Sequence, residues 1–480
     1  MSLQSQRARA FWSAAGVVAT FGMTLFASGA PRNAAEIKVV KAETVGMSSE
    51  RLERIGVGMR RLIDAGKIPG TVTLVARRGK VVHFETNGMR DVAKSLPMEK
   101  DTIFRLYSQT KPVTGAAVMM LFEEGHFLLS DPIAKYLPEF KDMVVYVGTK
   151  DGKMQTEPAR PITIHHLLTH TSGMTYSLFP TPVGQLYRDA FIDGSSAPII
   201  QTDPQTGKLS VLSDEDDPER HGTLKEWSET AAKLPLVAQP GTEWHYSVAT
   251  DVLGRLVEIW SGQSLADFFE QEIFGPLAMI DTGFSVPADQ AHRFSSLYRP
   301  SSGAVMGAKS PPVNPLKDRD PGLLLLDSMA TSPYLLAPTF QSGGGGLVAT
   351  IGDYCRFCQM LMNGGVLDKV RLLSPKTIDY MRLNQLPNGA DLAAMGQAVW
   401  SETNYEGIGF GIGWAVVIDP VKANIVASVG EHHWGGAAST FFWLDPKEEL
   451  FAVFLTQLLP SSTYPLRREL RAQIYQSLLD

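Results

Sequence analysis

Cysteine is nearly missing from this chain: two residues, Cys355 and Cys358, among 480. One pair cannot make a disulfide scaffold, and it cannot hold a zinc ion without two further ligands. The Cys-x-x-Cys spacing admits a redox pair. However, Asp353 to Met362 reads as a helix with a core-like apolar stripe, so buried structural thiols are expected. Any excess of one charge sign is also small. Forty-four Lys and Arg face 50 Asp and Glu, a net charge of −6, and no basic run occurs. That argues against nucleic acid as a partner. Beyond residue 30 no apolar stretch is long enough to cross a bilayer. Gly-x-Ser-x-Gly, His-Glu-x-x-His, a P-loop and a dinucleotide fingerprint are all absent. The nucleophile elbow of α/β-hydrolases is thereby excluded as a motif, along with the chemistries the other patterns carry. His166 and His170 are four apart, a metal-ligand spacing, but no acidic third ligand follows at a suitable distance. Structural hydrogen bonding is expected of them, with no metal and no cofactor.

The first thirty residues stand apart. Arg7 and Arg9 precede an apolar stretch from Ala10 to Ala30 that ends in small residues. A charged start, an apolar middle and a small-residue end describe a secretory signal peptide, taken here as residues 1–34. An uncleaved anchor is the competing reading, but Ser, Gly and Thr dilute the stretch. A periplasmic or secreted protein with no membrane span in its mature form is expected.

The rest, from about residue 45 to 480, reads as one unit. Ser48 can cap a helix with Leu52, Ile55, Met59, Leu62 and Ile63 on one stripe. Val72–Ala76 and Val81–Glu85 flank Arg77-Arg-Gly-Lys80, a hairpin pattern. Pro112 and Gly125 bracket a helix, apolar nearly all round, that also carries Ser108 and Lys111. From about 130 to 400 the chain is rich in Pro, Gly and short amphipathic helices. Within it, Asp214–Asp217 reads as a solvated acidic loop. Ser342-Gly-Gly-Gly-Gly346 reads as a flexible joint or a close backbone approach. Strands return at Gly409–Ile418, Ile425–Val429, Ser439–Leu444 and Leu450–Thr456, and Leu466–Leu479 closes as a helix. The expected fold is therefore α+β. One sheet draws on both ends of the chain (about 45–110 and 405–480), with a mostly helical lobe inserted (about 111–404). A ligand would lie in the cleft between them.

Three elements carry chemistry. Ser108 is the one serine with a lysine three residues on, Lys111. Positions i and i+3 share a helical face, and a serine hydroxyl becomes a nucleophile when a neighbour takes its proton. Tyr246, in Pro240-Gly-Thr-Glu-Trp-His-Tyr246-Ser-Val248, sits at a loop-to-helix junction. A phenol beside an ammonium is easier to deprotonate and can relay protons. His432-His-Trp434-Gly435-Gly436-Ala437 runs into a strand, where glycines let the backbone approach something closely. An unpaired strand N–H there can serve an oxyanion. Singly, each has a bland reading: a helix cap, a core tyrosine, a glycine turn.

Together the elements resemble the serine β-lactamase and penicillin-binding-protein superfamily, and most nearly its family VIII carboxylesterases, over residues 48–480. Tyr107-Ser-Gln-Thr-Lys-Pro112 is similar to the nucleophile motif. Leu167-Leu-Thr-His-Thr-Ser-Gly173 is similar to the segment after the nucleophile helix. Trp434-Gly435-Gly436 resembles the esterases' replacement for Lys-Thr-Gly, and Arg356–Gly365 and Phe441–Pro446 also read as family text. The resemblance implies a β-lactamase/transpeptidase-like fold. It implies Ser108 as acylated nucleophile, Lys111 and Tyr246 as the general-base pair, and the backbone N–H groups of Ser108 and Ala437 as the oxyanion hole. Trp434 would line the acyl or alcohol pocket.

Two departures bear on substrate. Related lactamases usually have Tyr-x-Asn where Val248 stands here, and a cation where Trp434 stands. Losing a hydrogen-bond partner and a charge weakens lactam recognition, at roughly 1.5–3 kcal/mol per charged bond. An apolar tryptophan suits a neutral ester. Hydrolysis of small carboxylic esters is the expectation. The alternatives are amide cleavage (unusual or D-amino acid peptides, or weak β-lactamase activity) and a non-catalytic sensor of cell-wall fragments.

Overall fold

The computed structural model describes residues 37–480 except 193–198, 203–208, 213–221, 302–321 and 397–404; of 199–202 and 209–212 it describes the backbone only. The signal-peptide region and the acidic run Asp214–Asp217 lie outside the described residues.

Eight antiparallel strands form the main sheet. Three come from the N-terminal side: β1 (Gly70–Arg77), β2 (Lys80–Asp91) and β3 (Leu96–Pro97). Five come from the C-terminal side: β4 (Ile408–Phe410), β5 (Ala415–Val417), β6 (His432–Gly435), β7 (Phe441–Asp445) and β8 (Leu450–Leu455). The order is β4-β5-β6-β7-β8-β1-β2-β3, so the two chain ends meet where β8 pairs with β1, Leu74 opposite Val453. Arg78 and Gly79 both have positive φ, 50° and 71°. That is the two-residue turn whose twist suits a hairpin.

Period-two alternation gives the sheet two apolar faces. Val75, Trp443, Ala452 and Phe454 pack against α1 (Ser49–Asp64) and the C-terminal helix, through Leu52, Ile55, Met59, Leu470 and Ile474. Ser48 caps α1 by accepting from the N–H of Arg51. Val72, Leu74, Phe442, Val453 and Leu455 face the other way and join the larger core. That core holds α2 (Lys111–Glu123), α3 (Ala249–Ser261) and α4 (Ile351–Met362). Eleven of the thirteen residues of α2 are buried. Cys355 and Cys358 are free thiols buried on α4, and burial pushes Cys355 up to about 12.

Several expectations need correction. Ser108 is not on the α-helix: Tyr107–Thr110 forms a 3₁₀ turn and Lys111 opens α2. Ile425–Val429 forms no strand. Asn424 (φ 52°) and Gly430 (φ 91°) turn the chain there, leaving Val426 and Val429 largely exposed. The strand forms later, at β6. Gly409–Ile418 is a tight hairpin, β4 with β5, rather than one strand. The final helix, α5 (Leu466–Tyr475), stops four residues short of the expected Leu479. The middle of the chain also holds strand pairs, Val144–Lys150 with Lys153–Pro158 and Leu297–Pro300 with Leu323–Asp327. Among the described residues no helix is long and apolar enough to cross a membrane.

Candidate active site

A short strand, Ile103–Arg105, pairs with Val348–Thr350 and delivers the chain to the 3₁₀ turn. In that turn residues three apart eclipse, which stacks Ser108 beside Lys111. Lys111 Nζ lies 3.3 Å from Ser108 Oγ. The amine is 1% exposed, while Ser108 is partly open to solvent. Tyr107, just before the serine, holds φ at 47°. A left-handed tyrosine costs on the order of 1–3 kcal/mol and persists where its surroundings enforce it. Here Leu297, Ala438 and Leu459 enclose the ring.

Lys111 makes two further hydrogen bonds. It donates to Tyr176 Oη at 3.0 Å and to the Gly344 carbonyl at 2.7 Å. Its contact with Tyr246 is of another kind: Nζ sits 4.7 Å from the ring centroid, over the face. A cation over a ring face is held by the ring quadrupole. Tyr246 itself stands in an aromatic cluster, with ring centroids of His170, Tyr176 and Trp434 at 4.9, 5.2 and 5.4 Å. His170 bonds Ser247 through Nδ1, and burial together with the Lys111 charge keeps its imidazole well below the usual histidine range. It adds no positive charge to the site. His166 accepts from the N–H of Thr163 as part of a helix cap. Among the described residues no group of three His, Cys, Asp or Glu is arranged for a metal.

The third element arrives from β6. Trp434 packs edge-on against Phe410, ring centroids 5.4 Å apart. Gly435 is fixed by sterics, since a Cβ there would collide with the backbone carbonyl of Thr440. Gly436 lies against the carbonyl of Leu106, where a Cβ would collide. Its missing side chain brings the 434–437 segment to within two residues of Ser108. Neither the N–H of Ser108 nor that of Ala437 donates to any described group. Beside Tyr246 a cavity of about 250 Å³ opens, walled by Phe179, Val183, Val237 and Trp244 and, on its polar side, by Glu243 and His245.

Three groups around Lys111 lay outside the sequence reading. Tyr176 sits three residues past Gly173, with nothing in its context to mark it. Gly344 belongs to the glycine run, which proves to be a close approach: a Cβ on Gly344 would lie 2.7 Å from Asp251 Oδ2. Asp251, on α3, is fully buried and accepts from Ser342 Oγ (2.5 Å) and from the Gly344 N–H (3.0 Å). Burial pushes its carboxyl up to about 6, opposed by the Lys111 charge and those two hydrogen bonds.

Residues 58–476 match the family model described as Beta-lactamase. Esterase EstB of Burkholderia gladioli is 30% identical over 413 residues, covering 85% of this chain and 91% of that protein. Protein Rv1367c of Mycobacterium tuberculosis is 34% identical over 409 residues, covering 84% and 89%. Among solved structures, EstCE1, "a hydrolase with promiscuous acyltransferase activity", superposes with a TM-score of 0.68 at 27% identity, covering 89% of this chain and 99% of that one. With the fold and the match in agreement over most of its length, this chain is a serine hydrolase and belongs to the β-lactamase family.

Proposed function

We propose that the protein hydrolyses small, neutral carboxylic esters through an acyl-enzyme on Ser108. The carrying observation is the buried amine of Lys111, 3.3 Å from the Ser108 hydroxyl. In its neutral form that amine takes the serine proton as Oγ bonds to the ester carbonyl carbon. The carbonyl π electrons move to oxygen, and the N–H groups of Ser108 and Ala437 receive the oxyanion. Collapse breaks the bond to the alkoxide. The alkoxide leaves as the alcohol with the proton held on Lys111, which Tyr246 and Tyr176 help to relay. Water repeats the sequence on the acyl-enzyme, releasing the carboxylic acid and restoring the serine. No metal or cofactor takes part.

The ester preference rests on two side chains. Val248 is buried and offers no amide to a substrate's acylamino group, and Trp434 presents an indole where lactamases carry a cation. The cavity beside Tyr246 takes the substrate's apolar portion. EstB is named an esterase, and Penicillium rubens has a relative named lovastatin esterase, 26% identical over 434 residues. Both names support the reading. In the same reading residues 1–34 direct export, and the lobe at about 111–404 shapes the pocket over the sheet.

A matched panel of p-nitrophenyl esters, anilides and β-lactams tests it. Short esters should turn over fastest, and Ser108→Ala should abolish turnover. Unchanged ester hydrolysis in that variant, or anilides cleaved faster than esters, would overturn it.

A further inference from the structure

The glycine-rich segment 342–346 is a strap lying across the start of α2, and three threads sew it there. Thr110 Oγ1 accepts from the N–H of Leu347 at 3.2 Å. Thr114 Oγ1 donates to the Gly343 carbonyl at 2.7 Å. Lys111 donates to the Gly344 carbonyl at 2.7 Å. From the opposite side a single residue holds the strap. Asp251 Oδ1 accepts from both Ser342 Oγ and the Gly344 N–H. The peptide joining residues 343 and 344 is thus clamped at both ends, its N–H on Asp251 and its C=O on Thr114. The next carbonyl is the one that meets the amine. Space agrees with this, because Cβ atoms on Gly343 and Gly344 would stand 2.9 Å from the Thr250 carbonyl and 2.7 Å from Asp251 Oδ2.

A buried carboxylate is a costly anchor, and the second oxygen, Oδ2, is buried with no hydrogen-bond partner. Strap geometry alone needs one acceptor oxygen. We propose that Asp251 is a positioning residue: by gripping Ser342 and Gly344 it aims the Gly344 carbonyl, and that carbonyl holds the Lys111 amine against Ser108. This rests on the role proposed above for Ser108 and Lys111. Asp251 makes no hydrogen bond to Lys111 or Ser108; beyond the attraction of its charge for the amine, it acts on them through the strap.

The test compares Asp251→Ala, which removes both bonds, with Asp251→Asn, whose amide oxygen can accept both. Two rates are read for each folded full-length protein: saturation kinetics on a short p-nitrophenyl ester, and labelling of Ser108 by a fluorophosphonate. A displaced base of this kind costs about 100-fold. Asp251→Ala should therefore lose about 100-fold in kcat with KM little changed, and Asp251→Asn should recover at least tenfold of that. A folded Ala variant with kcat and labelling like wild type would overturn the proposal, as would an Asn variant no better than Ala. Should Asp251→Ala fail to fold, Ser342→Ala decides: a several-fold fall in kcat at constant KM supports the proposal, and no change refutes it. Wild-type protein that fails to label at Ser108 would instead overturn the ester-hydrolase reading itself.

Discussion

Tyr176→Phe is the perturbation that best separates two phenols. Tyr176 accepts a hydrogen bond from the Lys111 amine through its hydroxyl oxygen, at 3.0 Å. Tyr246 meets the same amine with its ring face. Phenylalanine at 176 keeps the ring beside Tyr246 and beside the cation, centroid distances 5.2 and 5.6 Å in wild type. It removes one hydrogen bond to a charged group, which is worth roughly 1.5–3 kcal/mol. If that bond orients the amine in the transition state, kcat/KM falls by roughly 10- to 150-fold. The measurement is kcat/KM on a short p-nitrophenyl ester, with thermal unfolding as the control for folding. A Tyr176→Phe enzyme that unfolds like wild type and retains kcat/KM within threefold would refute the reasoning. The hydroxyl would then be a bystander to the base.

Three further outcomes are expected. Gly436→Ala forces a methyl into the Leu106 carbonyl; moving the Trp434–Ala437 segment should lower kcat by about 100-fold, and unchanged turnover would contradict the close approach. Asp353 is buried on α4, accepting from the Asp281 N–H and Thr282 Oγ1, and burial pushes its carboxyl up to about 7. Its folded value lies above the unfolded one, so the folded state binds the extra proton and stability from this group falls as pH rises from about 4 to 7, by at most ~4 kcal/mol. Asp353→Asn keeps an acceptor oxygen without the charge, so its thermal midpoint should depend less on pH across that window; identical slopes would count against the assignment. Finally, the proposed export by residues 1–34 predicts that protein recovered outside the cytoplasm of a Gram-negative host lacks the apolar N-terminal stretch. Mass spectrometry showing Met1 or Ser2 at the terminus would exclude cleavage.

The Ser108–Lys111 pairing was legible because its spacing is local: three residues on one chain segment, whether the turn is α or 3₁₀. The sheet was legible from its two ends, since β1, β2, β7 and β8 carry dense β-branched and aromatic residues. The strand β6 was not. His432-His-Trp-Gly435 has little β propensity, while the nearby Ile425–Val429 has much and still forms none, because Asn424 and Gly430 turn the chain and leave two valines in solvent. Tertiary pairing with β7 decided the matter. Tyr176, Gly344 and Asp251 reach Lys111 directly or through the strap across 65, 233 and 140 residues of chain. Such contacts are set by how α2, α3 and the glycine strap pack, and no local pattern encodes them. The glycine run did advertise a close approach, though not of what to what.

The most direct measurement is the intact mass of the protein, quenched within the first turnovers of an activated acyl ester and then mapped by peptide digestion. The account predicts a mass gain equal to one acyl group, located on Ser108 and absent from Ser108→Ala. Ester turnover with the acyl group on another residue, or undiminished turnover in Ser108→Ala, would contradict it.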